Sequence, residues 1–503
     1  MQKKENIRQF FLPLFCCLLS GMATPVFAQS FFDEFKKQAR AKFENYKTQQ
    51  SEDFNAYRAQ INAEFAEFMA NPWKKEESHQ PLQSPKKVPD IPPVVLPEID
   101  IDIPEDAPID VDINLPVLED KPINIPPIRY TPKPAEKSIA FTFYGTSGRV
   151  RFDADKKAFL DGNDEKSVAR FWKELSGKVY DNIVADCQNI HYDRDLCDWA
   201  YLKMTEKVAE TIYSSGNERA VFHAWLLSQS GFRIKLGREN ENIHLLVGTP
   251  TALFEKSFWK MDDGYYSLLD DSRISSLYIM DAEFPNTSLL RMRMNVRNDF
   301  EKDGTPSRKL HSKKYAEASA DVICDKNSLA FLADMPVPAI SETNHADYLM
   351  FAYMPLSDKA SSGLYSGLLN QIMGKSELEG ANILLNFVQT AFEYKTDTEA
   401  WGKERVFFPE ETLYYPYCDC EDRAILFCYL VQNLMGLDVA FVSYPGHLAA
   451  AVNFNEKVSG DYFLVSGKKY VVCDPTFINA PVGRTMPGMD NNTAEVFLMD
   501  KSN

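Results

Sequence analysis

Two stretches of this 503-residue chain echo each other about 204 positions apart. NERAVFHAWLLSQSGF, from Asn217, aligns with EDRAILFCYLVQNLMGL, from Glu421, placing Arg219 and Ala220 on Arg423 and Ala424. After one gap Gly231 meets Gly436. His244 in IHLLVG then meets His447 in GHLAAAV, and Asp270 in YSLLD meets Asp474 in YVVCD. Three matches at nearly one offset restrict the fold: a helix followed by strands must be built twice. The reading is therefore α+β, with related domains at 136–270 and 359–503 joined by 271–358. The halves differ at one chemical position, where Gly216 stands opposite Cys420. The first half keeps His244 and Asp270 but has no nucleophile, so it reads as a degenerate, structural or substrate-positioning domain.

In the second half the pattern carries chemistry. Turn residues 416–419 precede Cys420, and AILFCYLVQNLMG continues as a helix closed by Gly436. A thiol at a helix N-terminus meets unpaired N–H groups and the positive end of the dipole, which favour its thiolate. His447, the only histidine after Cys420, opens the strand LAAAVNF, and Asp474 ends KKYVVCD. With LDVAFVSY and DYFLV these segments predict an antiparallel sheet laid over the helix. Cys420, His447 and Asp474 thus fall in the order nucleophile, base and orienter, the arrangement that acyl transfer requires. The Cys and His spacings fit no zinc site, so neither metal nor cofactor is expected.

DCEDRAILF, GHLAAAV and YVVCDPTF resemble the Cys, His and Asp motifs of the transglutaminase-like superfamily, over about 120 residues from Ala381 onward. NFVQTAFEYKTD and FFPEETLYYP resemble the helix and connection that precede the nucleophile in bacterial members. The resemblance implies a papain-like fold and a cysteine enzyme that acts on amide or peptide bonds through a thioester, by hydrolysis or acyl transfer. Cys420, His447 and Asp474 match its triad. It also implies an oxyanion donor on the preceding helix, for which Gln389 is the candidate. A glycine common two residues before the nucleophile is Cys418 here. The expected substrate is a protein or peptide. The alternative function is a non-catalytic envelope scaffold built from two such domains.

The remaining chain reads as delivery and linkage. Residues 1–28 have the basic, apolar and small-residue regions of a secretory signal peptide, which predicts a periplasmic or secreted protein. Residues 29–75 carry an eleven-residue repeat with aromatics at 32, 43, 54 and 65 and at 35, 46, 57 and 68. That period gives one nearly straight stripe on a helix ending at Asn71-Pro72, suited to self contact or an envelope partner through 32–70. Fourteen prolines between Pro81 and Pro134 make 76–135 an extended spacer. Its IDVDIN alternation suits a strand lying on the edge of a sheet. A hairpin around 145–148, helices near 165–178 and 197–213, a mostly β stretch over 271–355 and further helix over 359–394 complete the reading. A net charge of −17 argues against nucleic acid as a partner. Seven cysteines follow the signal, and Cys187 and Cys197 read equally as a local bridge or as two buried thiols.

Overall fold

Two six-stranded sheets organise the chain, and five strands of each follow the same path. In the first, Ile234–Glu239, Asn242–Thr249, Phe258–Met261, Gly264–Leu268 and Ser276–Ile279 lie in the spatial order fifth, first, second, fourth, third. In the second, Asp438–Tyr444, His447–Asn453, Tyr462–Val465, Lys468–Cys473 and Glu495–Met499 take the same order. All neighbours among these strands are antiparallel. Each set follows a helix, Gly216–Gln229 or Cys420–Leu430, that packs on its second strand. The sixth strands differ: Lys74–Glu77 pairs antiparallel with the fifth strand of the first sheet, and Pro108–Asp110 pairs parallel with the third strand of the second.

The computed structural model describes residues 59–83, 92–96, 108–110 and 137–499, apart from 178, 262, 271–272, 293–295 and 341–345. Residues 1–28, which read as a signal peptide, most of the aromatic repeat and most of the proline-rich stretch lie outside the described residues. What is described of the proline-rich stretch lies on the body. Residues 94–96 exchange backbone hydrogen bonds with Ile478, and Asn479 Nδ2 donates to Leu96 O. Proline removes backbone donors but leaves carbonyls, and the non-proline positions supply the N–H groups for this pairing. Glu64–Asn503 forms one compact unit.

Local signals explain most element ends. Asp164 caps Glu165–Leu175, accepting from Lys166 N and Ser167 N, and Ser376 forms a capping box with Glu379 before Glu377–Thr390. Gly436, at φ 68°, ends the turn that follows Cys420–Leu430. Ser466 and Gly467, at φ 51° and 78°, make the two-residue corner of the hairpin carrying Asp474. The hairpin near residue 145 turns at Tyr144-Gly145. A helix at Asp181–Asp193, between the two expected ones, was not visible in the sequence pattern.

The stretch 271–355 differs from its expected β character. It holds strands at Ser276–Ile279, Arg308–His311 and Ser319–Val322 and helices at Lys326–Ala333 and Tyr348–Tyr353, whereas 280–307 has no regular element among its described residues. Alternating apolar residues there do not form a ladder. Leu290 and Met292 enter the core singly, while side chains anchor the backbone: Asp198 accepts from Arg291, and Asn298 Oδ1 accepts from Cys197 N. The fifth strand, at 276–279, also carries the first sheet past residue 270.

The described end of the aromatic helix spans 59–69. Phe65 is buried, its ring 5.0 Å from Trp172 and 5.2 Å from Phe284, while Phe68 is 65% exposed. One series of the stripe is core here and the other faces outward. Phe65→Ala should cost about 3 kcal/mol or more in chemical denaturation, and Phe68→Ala about 0.5 kcal/mol or less. Equal effects would refute this division.

Candidate active site

Cys420 is placed by the elements before it. Glu393–Tyr394 and Tyr417–Cys418 pair in parallel, and Arg308 Nη1 donates to the carbonyls of Leu413, Tyr414 and Tyr415. Asp422 ties the turn together, Oδ1 accepting from Phe407 N and Oδ2 from Asp419 N. Burial, with Asp419 and Asp397 nearby, holds the Asp422 carboxyl well above the usual range. The helix then starts at Cys420, and all eleven of its residues are buried. That explains its lack of a polar face: helices Tyr348–Tyr353, Glu377–Thr390 and Pro409–Tyr414 and the strand His447–Asn453 all pack on it.

The structure brings His447 and Asp474 together. His447 Nε2 lies 2.8 Å from Asp474 Oδ2, with His447 3% and Asp474 1% exposed. Asp474 Oδ1 accepts from Thr476 N and Phe477 N, so its carboxylate is fixed at both oxygens. Burial alone would push the imidazole pKa down. The Asp474 carboxylate, and the Cys420 sulfur after it, outweigh that and raise it to about 10. His447 Nδ1 is buried and makes no hydrogen bond. It is the ring nitrogen left for the thiol. The Cys420 Sγ–H donates instead to Glu421 Oε2 at 3.3 Å, and Cys420 is 2% exposed. Glu421 was missed in the sequence.

Gln389 has a different task from the oxyanion donor the resemblance implied. Its Nε2 donates to the carbonyls of Asp474, Phe477 and Ala480, and its Oε1 accepts from Asn479 N. An amide has two hydrogens, and three acceptors already share them. Gln389 is buried and staples the loop that carries Asp474. Arg423, the residue shared with Arg219, donates to Gln389 O and Phe392 O and lies over the Tyr394 ring. Cys418 is buried and its pKa raised by burial, against the opposing pull of Arg423.

In the first half Gly216 opens its helix, and His244 and Asp270 line the same cavity. His244 Nε2, the nitrogen that in the second half meets the aspartate, makes no hydrogen bond. Cys187 and Cys197 are buried free thiols. One grouping was not legible in the sequence, because its members come from separate elements. Asp397, Asp419 and Glu421, all buried, each bring a carboxylate oxygen to within 4.8 Å of the others, a spacing that could hold a hard cation. Comparison with known proteins finds no matching family model and no curated protein of significant similarity.

Gln389→Ala would strand three carbonyls and the Asn479 N–H, at a cost of about 2–4 kcal/mol in denaturant unfolding. A loss under 0.5 kcal/mol would contradict the staple. The His447–Asp474 pair also sets a pH dependence. The folded-state pKa of His447 is raised above its ordinary 6.5 to about 10. Its stabilisation is therefore full below pH 6.5 and lost as pH rises through about 10. The stability difference between the native protein and His447→Gln should shrink across that window. A difference that grows with pH would contradict the pairing.

Proposed function

We propose that the chain is an exported transglutaminase-like cysteine enzyme of papain-like fold, acting on amide or peptide bonds through a thioester. The observation that carries this reading is the buried His447 Nε2–Asp474 Oδ2 bond, which leaves Nδ1 unbonded beside Cys420 at a helix N-terminus. The shared strand order of the two sheets supports an internal duplication whose first copy lost its nucleophile. Export rests on residues 1–28. Among the described residues no helix is long and apolar enough to cross a membrane.

In this reading the thiol proton rests on His447 Nδ1, and the Cys420 sulfur attacks the carbonyl carbon. The tetrahedral intermediate collapses as the C–N bond breaks, and His447 returns its proton to the leaving amine. Water or a second amine, deprotonated by His447, then attacks the thioester, and the sulfur leaves while that proton stays on His447. Asp474 holds the ring and stabilises its charged form throughout. The products are a carboxylic acid with water, or a new amide with an amine. A protein or peptide is the substrate class.

The buried centre and the Cys420–Glu421 bond favour a second reading, a non-catalytic envelope scaffold in which the thiol is a resting core residue. Alkylation decides between them. Burial raises the pKa of Cys187, Cys324, Cys418, Cys428 and Cys473, and that of Cys197 to about 12, so at pH 6 these thiols stay protonated. Iodoacetamide at pH 6 should label Cys420 at least about tenfold faster than free cysteine, because in this reading His447 holds the thiol proton. Cys420→Ala should remove the label. Labelling no faster than free cysteine would favour the scaffold.

A further inference from the structure

The first half has a cavity where the second half has its candidate triad. It encloses about 380 Å³, and Gly216, Arg219, His223, His244 and Asp270 line it. That volume suits a small group or the end of a peptide rather than a folded partner. Gly216 occupies the place of Cys420, and a Cβ built there meets nothing within 4 Å. The space a nucleophile would fill is open.

The lining is poised for an acceptor. Among the described residues the Arg219 guanidinium has no ion pair or hydrogen bond, whereas Arg423 at the matching position is spent on two carbonyls. The buried His244 Nε2 is also without a partner. Ser215 caps the helix without a side-chain bond, so the first N–H groups beside Gly216 are not capped from that side. Two of the acids are answered, Glu206 by Lys203 at 2.6 Å and Glu210 by Lys207 at 2.8 Å, and the Asp270 carboxylate acts on the His244 ring. His223 is bonded to Thr205, and burial lowers its pKa to about 4, so it adds no charge at neutral pH.

We propose that this cleft binds a carboxylate, held by Arg219 and His244 at the start of the Gly216–Gln229 helix. A planar carboxylate matches the fork of a guanidinium, and the positive end of the helix favours it further. It is also the hydrolysed form of the acyl group that the second half is proposed to attack. The inference rests on the two halves being copies, and not on Cys420 being catalytic. The ligand is the C-terminus of a peptide or a free small acid, two sources of one chemistry.

The test uses the full chain carrying Cys420→Ala and Gly216→Cys, which places in the cleft the one unburied thiol among the described residues, with labelling read at position 216 by peptide mapping. At low salt and pH 7, iodoacetate should alkylate it at least about tenfold faster than iodoacetamide, relative to the same ratio for free cysteine. Arg219→Gln should abolish that preference. N-acetyl-dialanine should protect saturably and its C-terminal amide should not; protection by acetate alone assigns a free acid. In the protein with Gly216 intact, N-acetyl-dialanine should raise Tm, and Arg219→Gln should remove the shift. An unreactive thiol, a ratio like that of free cysteine, or a ratio unchanged by Arg219→Gln overturns the proposal. Because Cys420 is absent from the labelled protein, none of these results depends on the catalytic reading.

Discussion

The hydrogen bond between His447 and Asp474 is the interaction to which the second half of the molecule is fitted. A buried imidazole and a buried carboxylate are each costly alone, and together they are tolerable only if the remaining polar atoms are satisfied. Much of the surrounding structure supplies that satisfaction. The backbone of Thr476 and Phe477 holds the second carboxylate oxygen, Gln389 gathers the loop carbonyls, and residues 94–96 pair along its outer side. Arg423 links the helix that begins at Cys420 to the end of the helix that carries Gln389. A change at Gln389 or Arg423 therefore reaches the His447–Asp474 pair through backbone position.

The two halves apply one layout to different ends. In the second, each conserved polar group of the layout is used internally: Arg423 holds carbonyls, and His447 holds Asp474. In the first, Arg219 and His244 face a cavity and retain unspent donors. Gly216 thus coincides with an open cleft, and Cys420 with a buried centre. Any molecule reaching the Cys420 sulfur requires movement of the groups around it, since Cys420 is 2% exposed.

Period and spacing made the strands, the two main helices and the order Cys420, His447, Asp474 legible, because each depends on local patterns. The repeat offset pointed to two related halves but not to the order of their strands, and the fifth strand of the first sheet, at 276–279, lies beyond the expected boundary at 270. The role of Gln389 was not legible: its partners are carbonyls 85 to 91 residues away, and no side-chain pattern marks a carbonyl. Glu421 was hidden for the opposite reason, since an acid in a first helical turn is ordinary. The irregular 280–307 read as strand because alternation records burial of single side chains and not pairing. Asp181–Asp193 escaped because no side chain caps its start and its apolar and polar residues do not separate cleanly into faces.

The central claim is that His447 is a charged ring held between Asp474 and the Cys420 sulfur. NMR titration of the His447 imidazole tests it most directly. The account predicts that the ring carries both protons at pH 7, that it titrates near pH 10, and that Cys420→Ala lowers this value. A ring neutral at pH 7, titrating at or below its ordinary 6.5 and indifferent to Cys420, would contradict it.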